Sequence, residues 1–250
     1  MLIAAFGDTV AEQIQRLSFL EYYVEVGAVI TAALSGMLAS RRKRMDLVGT
    51  YIVAFVNAFG GGTLRDVLLN RRPLFWVNFP EYPLAIFVLT LLFLYVPWVA
   101  RPANPIARRL FDGIDACGLA LFSISGASYA LEYALHPFIA ALLGVITGVF
   151  GGILRDVLLA EIPIIFQTRS SLYATCAFAG CWVLILGLRL DLNPTMASFI
   201  ATTVIVVLRM LSIQYCITLP APRYPKVNVE TKVESKVASN ADLGDRPKST

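Results

Sequence analysis

The stretch Gly61–Leu69, GGTLRDVLL, returns ninety residues later as Gly151–Leu159, GGILRDVLL, with eight of the nine residues identical. Both copies lie in strongly apolar sequence, and each places an arginine and an aspartate shortly after a pair of glycines. A charged side chain inside a membrane is costly unless it finds a partner or water, so a charged pair that occurs twice indicates a functional element. The chain is therefore predicted to be a duplicated membrane protein.

The composition of the chain agrees with this interpretation. Its 250 residues are 57% hydrophobic and only 15% charged, whereas soluble domains carry about 25% charged residues. The basic residues fall in short loops and in the tail rather than along one stripe, so no nucleic-acid partner is expected. The four cysteines form no C-x-x-C pair and have no neighbouring histidine, so no metal site, disulfide framework or other cofactor is expected. The single histidine, His136, lies in a loop, which leaves no constellation for an enzyme.

Seven apolar runs are long enough to cross a bilayer, which takes about 17–25 helical residues. They are predicted near Val24–Ser40, Leu47–Leu69, Pro83–Ala100, Gly113–Leu131, Pro137–Leu159, Ser171–Leu188 and Thr195–Leu219. The predicted fold is an all-α membrane protein in which glycines break the second and fifth helices, at Gly60–Gly62 and at Gly148 with Gly151–Gly152. The predicted parts are an N-terminal segment (1–19), a first three-helix repeat (20–100), a second three-helix repeat (101–190), a seventh transmembrane helix (191–219) and a disordered cytoplasmic tail (220–250).

The ninety-residue offset extends beyond the nine-residue motif. Ser35 corresponds to Ser125, and Glu25 corresponds to Asp115. Because each repeat contains three spans, the second copy must enter the membrane from the opposite face, which predicts inverted repeats related by a pseudo-two-fold axis in the membrane plane. The seventh span lies outside the repeat.

The distribution of lysine and arginine predicts the orientation, since these residues are enriched in cytoplasmic loops. If the first loop is cytoplasmic, fourteen basic residues lie on that side and four on the other, or eight and four without the tail. The eight are Arg41, Arg42, Lys43, Arg44, Arg101, Arg108, Arg109 and Arg169. We therefore expect a cell (inner) membrane protein with an external N-terminus and a cytoplasmic C-terminus.

The two charged pairs are expected where the breaks of the two repeats meet, near the middle of the membrane. Adjacent residues on a helix point about 100° apart, so we expect Arg65 to pair with Asp156 and Arg155 to pair with Asp66. The pairs then either clamp two closely packed helices together or hold the walls of a conduit narrowed by the glycines. The two roles are compatible.

Other polar residues in the spans are candidates for lining or mouth positions. Ser35, Ser123 and Ser125 offer hydroxyls to a wet path, or bond to their own helix carbonyls. Glu25 and Asp115 would stand at opposite mouths and favour cations, or act as first-turn acids that suit a helix dipole. Arg209 is expected to extend toward lipid headgroups, with the protein interior as the alternative, so membrane lipid is an expected partner.

With seven spans, a three-plus-three repeat and the G-G-x-L-R-D motif in spans two and five, the chain resembles the trimeric intracellular cation channel superfamily, in its prokaryotic branch. The resemblance covers roughly residues 20 to 219. It implies a homotrimer in which each subunit encloses a potassium-permeable, hourglass-shaped pore bounded by bent second and fifth helices. Carried over to this chain, the bends fall at Gly61, Gly62, Gly151 and Gly152, and the charged positions are Arg65, Asp66, Arg155 and Asp156.

Some bacterial members of this superfamily resemble glycine transporters, so two functions stay open. Animal members carry Lys-Glu-Val after the glycines of the second span, where this chain has Leu64-Arg65-Asp66, and this difference points to a bacterial or archaeal plasma membrane. Each motif aspartate has a neighbouring arginine, and no membrane carboxylate is left obviously unpaired for proton coupling. The sequence therefore favours a channel for monovalent cations, with a secondary transporter of a small amino acid such as glycine as the alternative.

Overall fold

The computed structural model describes residues 18–95, 105–167 and 172–217. Over these residues the chain forms seven α-helices, which we number α1 to α7, and one short 3-10 turn at Ile164–Phe166. The helices are α1 (Ser18–Arg42), α2 (Leu47–Leu68), α3 (Glu81–Leu94), α4 (Pro105–Glu132), α5 (Pro137–Leu158), α6 (Tyr173–Arg189) and α7 (Pro194–Gln214). The predicted ends at Ala100, Ser171 and Leu219, the segment 1–17 and the tail 220–250 lie outside the described residues.

Local sequence signals fix where the helices begin and end. The Asp46 side chain accepts a hydrogen bond from the Gly49 amide at 2.7 Å and caps α2, as expected of an N-cap aspartate. Proline occupies the first turn of both α5 and α7, where its missing amide hydrogen costs nothing. After α2 and α5, Asn70 and Ala160 take the left-handed conformation, with φ of 52° and 53°, which ends each helix.

Five of the described helices are long and apolar enough to cross a membrane: α1, α2, α4, α5 and α7. The other two, α3 and α6, are apolar but shorter, with 14 and 17 residues. At 1.5 Å per residue they measure about 21 and 26 Å, against a hydrocarbon core of about 30 Å. The described residues thus confirm the prediction of an all-helical protein with several membrane-spanning helices.

Helices α2 and α5 pack against each other and join the two halves of the chain, together with the α1–α4 pair. Contacts within the halves correspond: α1 packs on α2 as α4 packs on α5, and α2 packs on α3 as α5 packs on α6. Helix α7 packs against α6 and α4, so it attaches to the second half. The charged motif of each half therefore lies on a helix at the centre of the packing.

The glycines do not interrupt the helices. Helix α2 continues through Gly60–Gly62, and α5 continues through Gly148 and Gly151–Gly152. The predicted helix breaks are therefore not confirmed. A glycine inside a helix does not have to end the helix. At these positions the missing side chain allows a second helix to pack closely against the backbone.

Contacts between loops show which helix ends share a side. Lys43, after α1, forms an ion pair with Glu161, after α5, with 3.0 Å between Nζ and Oε1. Arg71, after α2, lies over the ring of Tyr129 in the last turn of α4, 4.3 Å from its centroid. The α1–α2 and α5–α6 loops thus lie together on one side, and the α2–α3 loop lies with the end of α4 on the other.

Candidate functional site: two charge clusters joined by a helix contact

The first charge cluster comprises Glu25 of α1, Arg65 and Asp66 of α2, and Arg71 of the following loop. Arg65 donates from Nε to Asp66 Oδ1 at 2.9 Å and from Nη2 to Glu25 Oε1 at 3.0 Å. Its Nη1 donates to the Ser125 hydroxyl of α4 at 2.9 Å. The Arg65 and Asp66 side chains are both fully buried. A buried guanidinium is tolerated only when its donors are satisfied, and each of its three nitrogens has a partner here.

Backbone and aromatic groups complete the first charge cluster. The second carboxylate oxygen of Asp66 accepts a hydrogen bond from the Phe75 amide at 2.8 Å. The Arg65 guanidinium lies 4.3 Å from the Tyr129 ring centroid and 5.3 Å from that of Phe75, a cation–π arrangement that stabilises a desolvated cation. Arg71 adds a second cation, with Nη1 3.8 Å from Asp66 Oδ1. The loop after α2 is thereby tied to the charged motif.

The second charge cluster comprises Asp115 of α4, Arg155 and Asp156 of α5, and Arg209 of α7. Arg155 donates from Nε to Asp156 Oδ1 at 2.8 Å and from Nη1 to Asp115 Oδ1 at 2.5 Å. The same Nη1 donates to the Ser35 hydroxyl of α1 at 2.6 Å, and that hydroxyl donates to Asp115 Oδ1 at 3.0 Å. Ser35 therefore bridges the cation and its carboxylate.

The second charge cluster has its own backbone and aromatic support. Asp156 Oδ2 accepts a hydrogen bond from the Ile164 amide in the loop after α5, at 2.9 Å. Arg155 lies 5.1 Å from the centroid of Phe111. Arg209 lies 4.6 Å from the centroid of Tyr173, and Tyr173 in turn contacts Asp115.

The two clusters are related by the sequence repeat and by reciprocal contacts. Arg65 of the first half binds Ser125 of the second, and Arg155 of the second half binds Ser35 of the first. The two arginines are related to each other by the ninety-residue offset, and so are the two serines. Reciprocal contacts of this kind are typical of two units related by a two-fold axis.

The predicted exchange of Arg65 with Asp156 and of Arg155 with Asp66 is wrong. Each arginine binds the aspartate next to it and an acid of its own half, and it reaches the other half through a hydroxyl. The Cβ atoms of adjacent residues diverge by about 100°, but the long arginine side chain can fold back so that Nε meets the neighbouring carboxylate. The pairs also lie in the last turn of α2 and α5, not where the helices meet.

The helices meet at the glycines. A Cβ atom on Gly61 would lie 2.0 Å from the Thr147 carbonyl oxygen, and one on Gly151 would lie 2.3 Å from the Asn57 carbonyl oxygen. Real Cβ atoms do not approach other atoms so closely, so only glycine fits at either position while the helices stay in place. The interpretation of the glycines as small residues that allow close helix packing is supported.

A narrow cavity lies beside this contact. Its lining includes the polar residues Ser35, Asn57, Asp115 and Thr147 together with apolar residues such as Leu119 and Phe122. Its volume suits roughly one or two water molecules. The cavity is lined by residues of both halves and lies between the helix contact and the second charge cluster, to which Asp115 belongs.

The predicted hydroxyl positions have different outcomes. Ser35 and Ser125 each bind an arginine of the other half, a role that the sequence analysis did not foresee. Ser123 Oγ is buried and has no hydrogen-bond partner within the described residues, and it lies beside Gly148, where a Cβ atom would be 2.1 Å away. Glu25 and Asp115 are both buried and lie in separate clusters, where each binds an arginine of its own half; their placement at two mouths stays a prediction.

Arg209 does not extend to the surface. Its residue is only 5% exposed and its guanidinium lies over Tyr173, so the expectation that it reaches lipid headgroups is wrong and the interior alternative holds. Four further residues of the site were not predicted from the sequence: Tyr129, Tyr173, Asn57 and Thr147. Asn57 and Thr147 could have been found, because they are polar residues in apolar spans at equivalent positions of the repeat.

Comparisons with known proteins agree with the duplication. A family model described as Glycine transporter matches residues 22–98 and matches again over residues 113–189. The chain is 34% identical over 202 residues to the UPF0126 inner membrane protein YadS of Escherichia coli, covering 80% of this chain and 95% of that protein. It is 31% identical over 199 residues to the UPF0126 membrane protein YvgT of Bacillus subtilis, covering 79% and 94%.

Solved structures match over a similar length. The trimeric intracellular cation channel orthologue from Rhodobacter sphaeroides superposes with a TM-score of 0.72 at 29% identity, covering 79% of this chain and 99% of that chain. A prokaryotic channel of the same name, crystallised in 0.5 M KCl, superposes with a TM-score of 0.72 at 27% identity, covering 80% and 99%.

Proposed function

This chain belongs to the trimeric intracellular cation channel superfamily, in its prokaryotic branch, and we propose that it is a potassium-permeable channel for monovalent cations with one pore in each protomer of a homotrimer. One observation carries the proposal: a small cavity with both polar and apolar lining residues lies beside the α2–α5 contact, in a structure where α2 and α5 each end in a cluster of fixed charges. The similar solved structures are those of trimeric intracellular cation channels, which supports this function.

The proposed path runs from the first charge cluster, past the α2–α5 contact, to the second charge cluster. On α1, Glu25 belongs to the first cluster and Ser35 touches the second, so the clusters are about 15 Å apart along the helix axis. Glu25 and Asp115 place carboxylate oxygens at the two ends, where Arg65 and Arg155 hold them and offset their charge, so that attraction of a cation at either end is weak. Weak attraction at several positions suits conduction better than one tight site.

The contact at the glycines is the proposed constriction. In this structure α2 and α5 touch through the backbone at Gly61 and Gly151, which leaves no path between them. Slight separation of the two helices would place the carbonyl oxygens of Asn57 and Thr147 on the path, and carbonyl oxygens can replace the hydration shell of a monovalent cation.

The proposed orientation follows the lysine and arginine distribution. The two halves run antiparallel through the membrane, as the reciprocal contacts between them support. With the N-terminus outside, the α1–α2 loop and the α5–α6 loop are cytoplasmic, and the Lys43–Glu161 ion pair agrees with their sharing a side. The first charge cluster then lies toward the outside and the second toward the cytoplasm of the inner membrane.

A secondary transporter of glycine is the alternative, favoured by the description of the matching family model. A zwitterion would need one cation and one carboxylate that are free to bind it. Each buried arginine is instead bound by two carboxylates and a hydroxyl, and the cavity suits water rather than an amino acid. These features favour the channel.

Recording from the purified full-length chain in planar bilayers tests the proposal. We expect unitary currents under a KCl gradient with a reversal potential close to that of potassium. Proteoliposomes from the same preparation, loaded and assayed for radiolabelled glycine, are expected to show no saturable uptake. Saturable, coupled glycine flux without unitary currents would overturn the channel and support the transporter.

A further inference from the structure

The two charge clusters are alike in content but are built from different parts of the chain. Each contains two arginines and two carboxylates. In the first cluster the second arginine is Arg71, which follows α2 within the repeat. The equivalent position in the second half is Glu161, which has the opposite charge and forms its ion pair with Lys43. The second half therefore lacks a cation of its own at this place.

Arg209 supplies a cation there from outside the repeat. It reaches the second charge cluster from α7: its guanidinium lies over the ring of Tyr173, Tyr173 contacts Asp115, and the positive charge acts electrostatically on that carboxylate. The arrangement parallels that of Arg71, which interacts with Asp66 and lies over Tyr129. In both clusters a tyrosine ring 4.3 to 4.6 Å away faces the second arginine.

We infer that Arg209 of the seventh helix is the counterpart of Arg71, and that it sets the charge of the second mouth of the pore and thereby the balance between inward and outward cation current. This inference rests on the proposed channel function. Without Arg209, the carboxylates Asp115 and Asp156 would face Arg155 alone, which leaves one net negative charge among these side chains. Without Arg71, the first cluster would carry the same excess.

The two arginines should therefore act in opposite directions. A unit charge about 10 Å from the path in water-like surroundings changes the local occupancy of a monovalent cation about two-fold. In the proposed orientation the second cluster faces the cytoplasm, so Arg209→Gln should enrich cations at the cytoplasmic mouth. Arg71→Gln should enrich them at the outer mouth.

Single-channel recording in planar bilayers with symmetric KCl tests this inference. Relative to wild type, we expect Arg209→Gln to raise the ratio of outward to inward current about two-fold and Arg71→Gln to lower it by a similar factor. Arg209→Lys keeps the charge and should leave the ratio unchanged. Equal current ratios in wild type and Arg209→Gln, with both proteins trimeric, would overturn the inference while leaving the channel proposal intact. Absence of current in the wild type would overturn the channel proposal itself.

Arg71→Gln covers the case in which Arg209→Gln does not assemble. The Arg71 side chain is 33% exposed and lies in a loop, so its replacement leaves the helix packing in place. If Arg209→Gln does not form a trimer, two results must both hold: Arg209→Lys keeps the wild-type current ratio, and Arg71→Gln lowers it. A wild-type current ratio in trimeric Arg71→Gln would overturn the inference.

Discussion

Asn57 and Thr147 lie at equivalent positions of the two repeats, and the carbonyl of each rests against a glycine of the other's helix. The Thr147 carbonyl meets Gly61, and the Asn57 carbonyl meets Gly151. Their side chains differ in their contacts: the Asn57 amide donates to the Ala32 carbonyl of α1 at 2.6 Å, whereas the Thr147 hydroxyl donates to its own helix at Leu143 at 2.7 Å. The centre of the molecule is thus symmetric in backbone and asymmetric in side chain.

Gly61→Ala and Gly151→Ala should each force α2 and α5 apart. The new methyl group would meet a backbone carbonyl, which cannot turn away, and overpacking of this kind costs about 1–3 kcal/mol. We expect a lower melting temperature in detergent and, because the constriction is widened, a higher open probability in bilayers. Gly113→Ala is the matched control, since its Cβ atom would meet nothing within 4 Å. A melting temperature as high in Gly61→Ala as in Gly113→Ala would contradict the close contact.

Asp66→Asn and Asp156→Asn should destabilise the protein strongly. Each substitution keeps the shape of the side chain but removes a carboxylate from a buried arginine, and breaking one partner out of a buried ion pair costs about 3–5 kcal/mol. Thermal unfolding followed by loss of the trimer peak in size-exclusion chromatography measures the effect, and single-channel conductance should also change. Glu161→Gln is the control, because its ion pair with Lys43 is exposed and exposed pairs contribute about 0–1 kcal/mol. If the conductance of assembled Asp66→Asn and Asp156→Asn trimers is unchanged, the motif does not form part of the conduction path.

Ser35→Ala should cost more than Ser125→Ala, although the two serines are equivalent in the repeat. The Ser35 hydroxyl bonds both Arg155 and Asp115, whereas the Ser125 hydroxyl accepts from Arg65. A hydrogen bond to a charged group contributes about 1.5–3 kcal/mol, so the two losses should differ in melting temperature. Thr203→Ala serves as the control, since its exposed hydroxyl bonds only to its own helix. Equal decreases in melting temperature for the two serine variants would show that the second hydrogen bond of Ser35, to Asp115, does not contribute to stability.

Labelling with a membrane-impermeant maleimide tests the proposed topology. Single cysteines are introduced as Lys43→Cys and His136→Cys in a background where Cys117, Cys176, Cys181 and Cys216 are replaced. We expect Lys43→Cys to react in inside-out vesicles and His136→Cys to react in intact spheroplasts. Reaction of both from one side would overturn the antiparallel arrangement of the halves.

The sequence predicted the helices well because hydropathy and caps are local properties, and the nine-residue repeat pointed to the equivalence of Arg65 and Arg155. It did not predict their partners. An arginine side chain is long enough to bind the carboxylate of the adjacent residue, even though the two Cβ atoms point to different faces of the helix. Residue spacing on the helix was therefore not sufficient to predict the ion-pair partners. Arg209 was misjudged for a different reason: α7 lies outside the repeat, and nothing in its own periodicity indicates that one arginine turns toward Tyr173.

The pairing of Glu161 with Lys43, at the position where the first half has Arg71, makes the two ends of the molecule chemically different. Two identical three-helix chains assembled about a dyad would carry the same residue at both places, so any gain at one end would be repeated at the other. In a single polypeptide the two places can carry different residues, and here they do, with Arg209 of the seventh helix lying in the second cluster. A protein that faces different solutions across its membrane can use such independence.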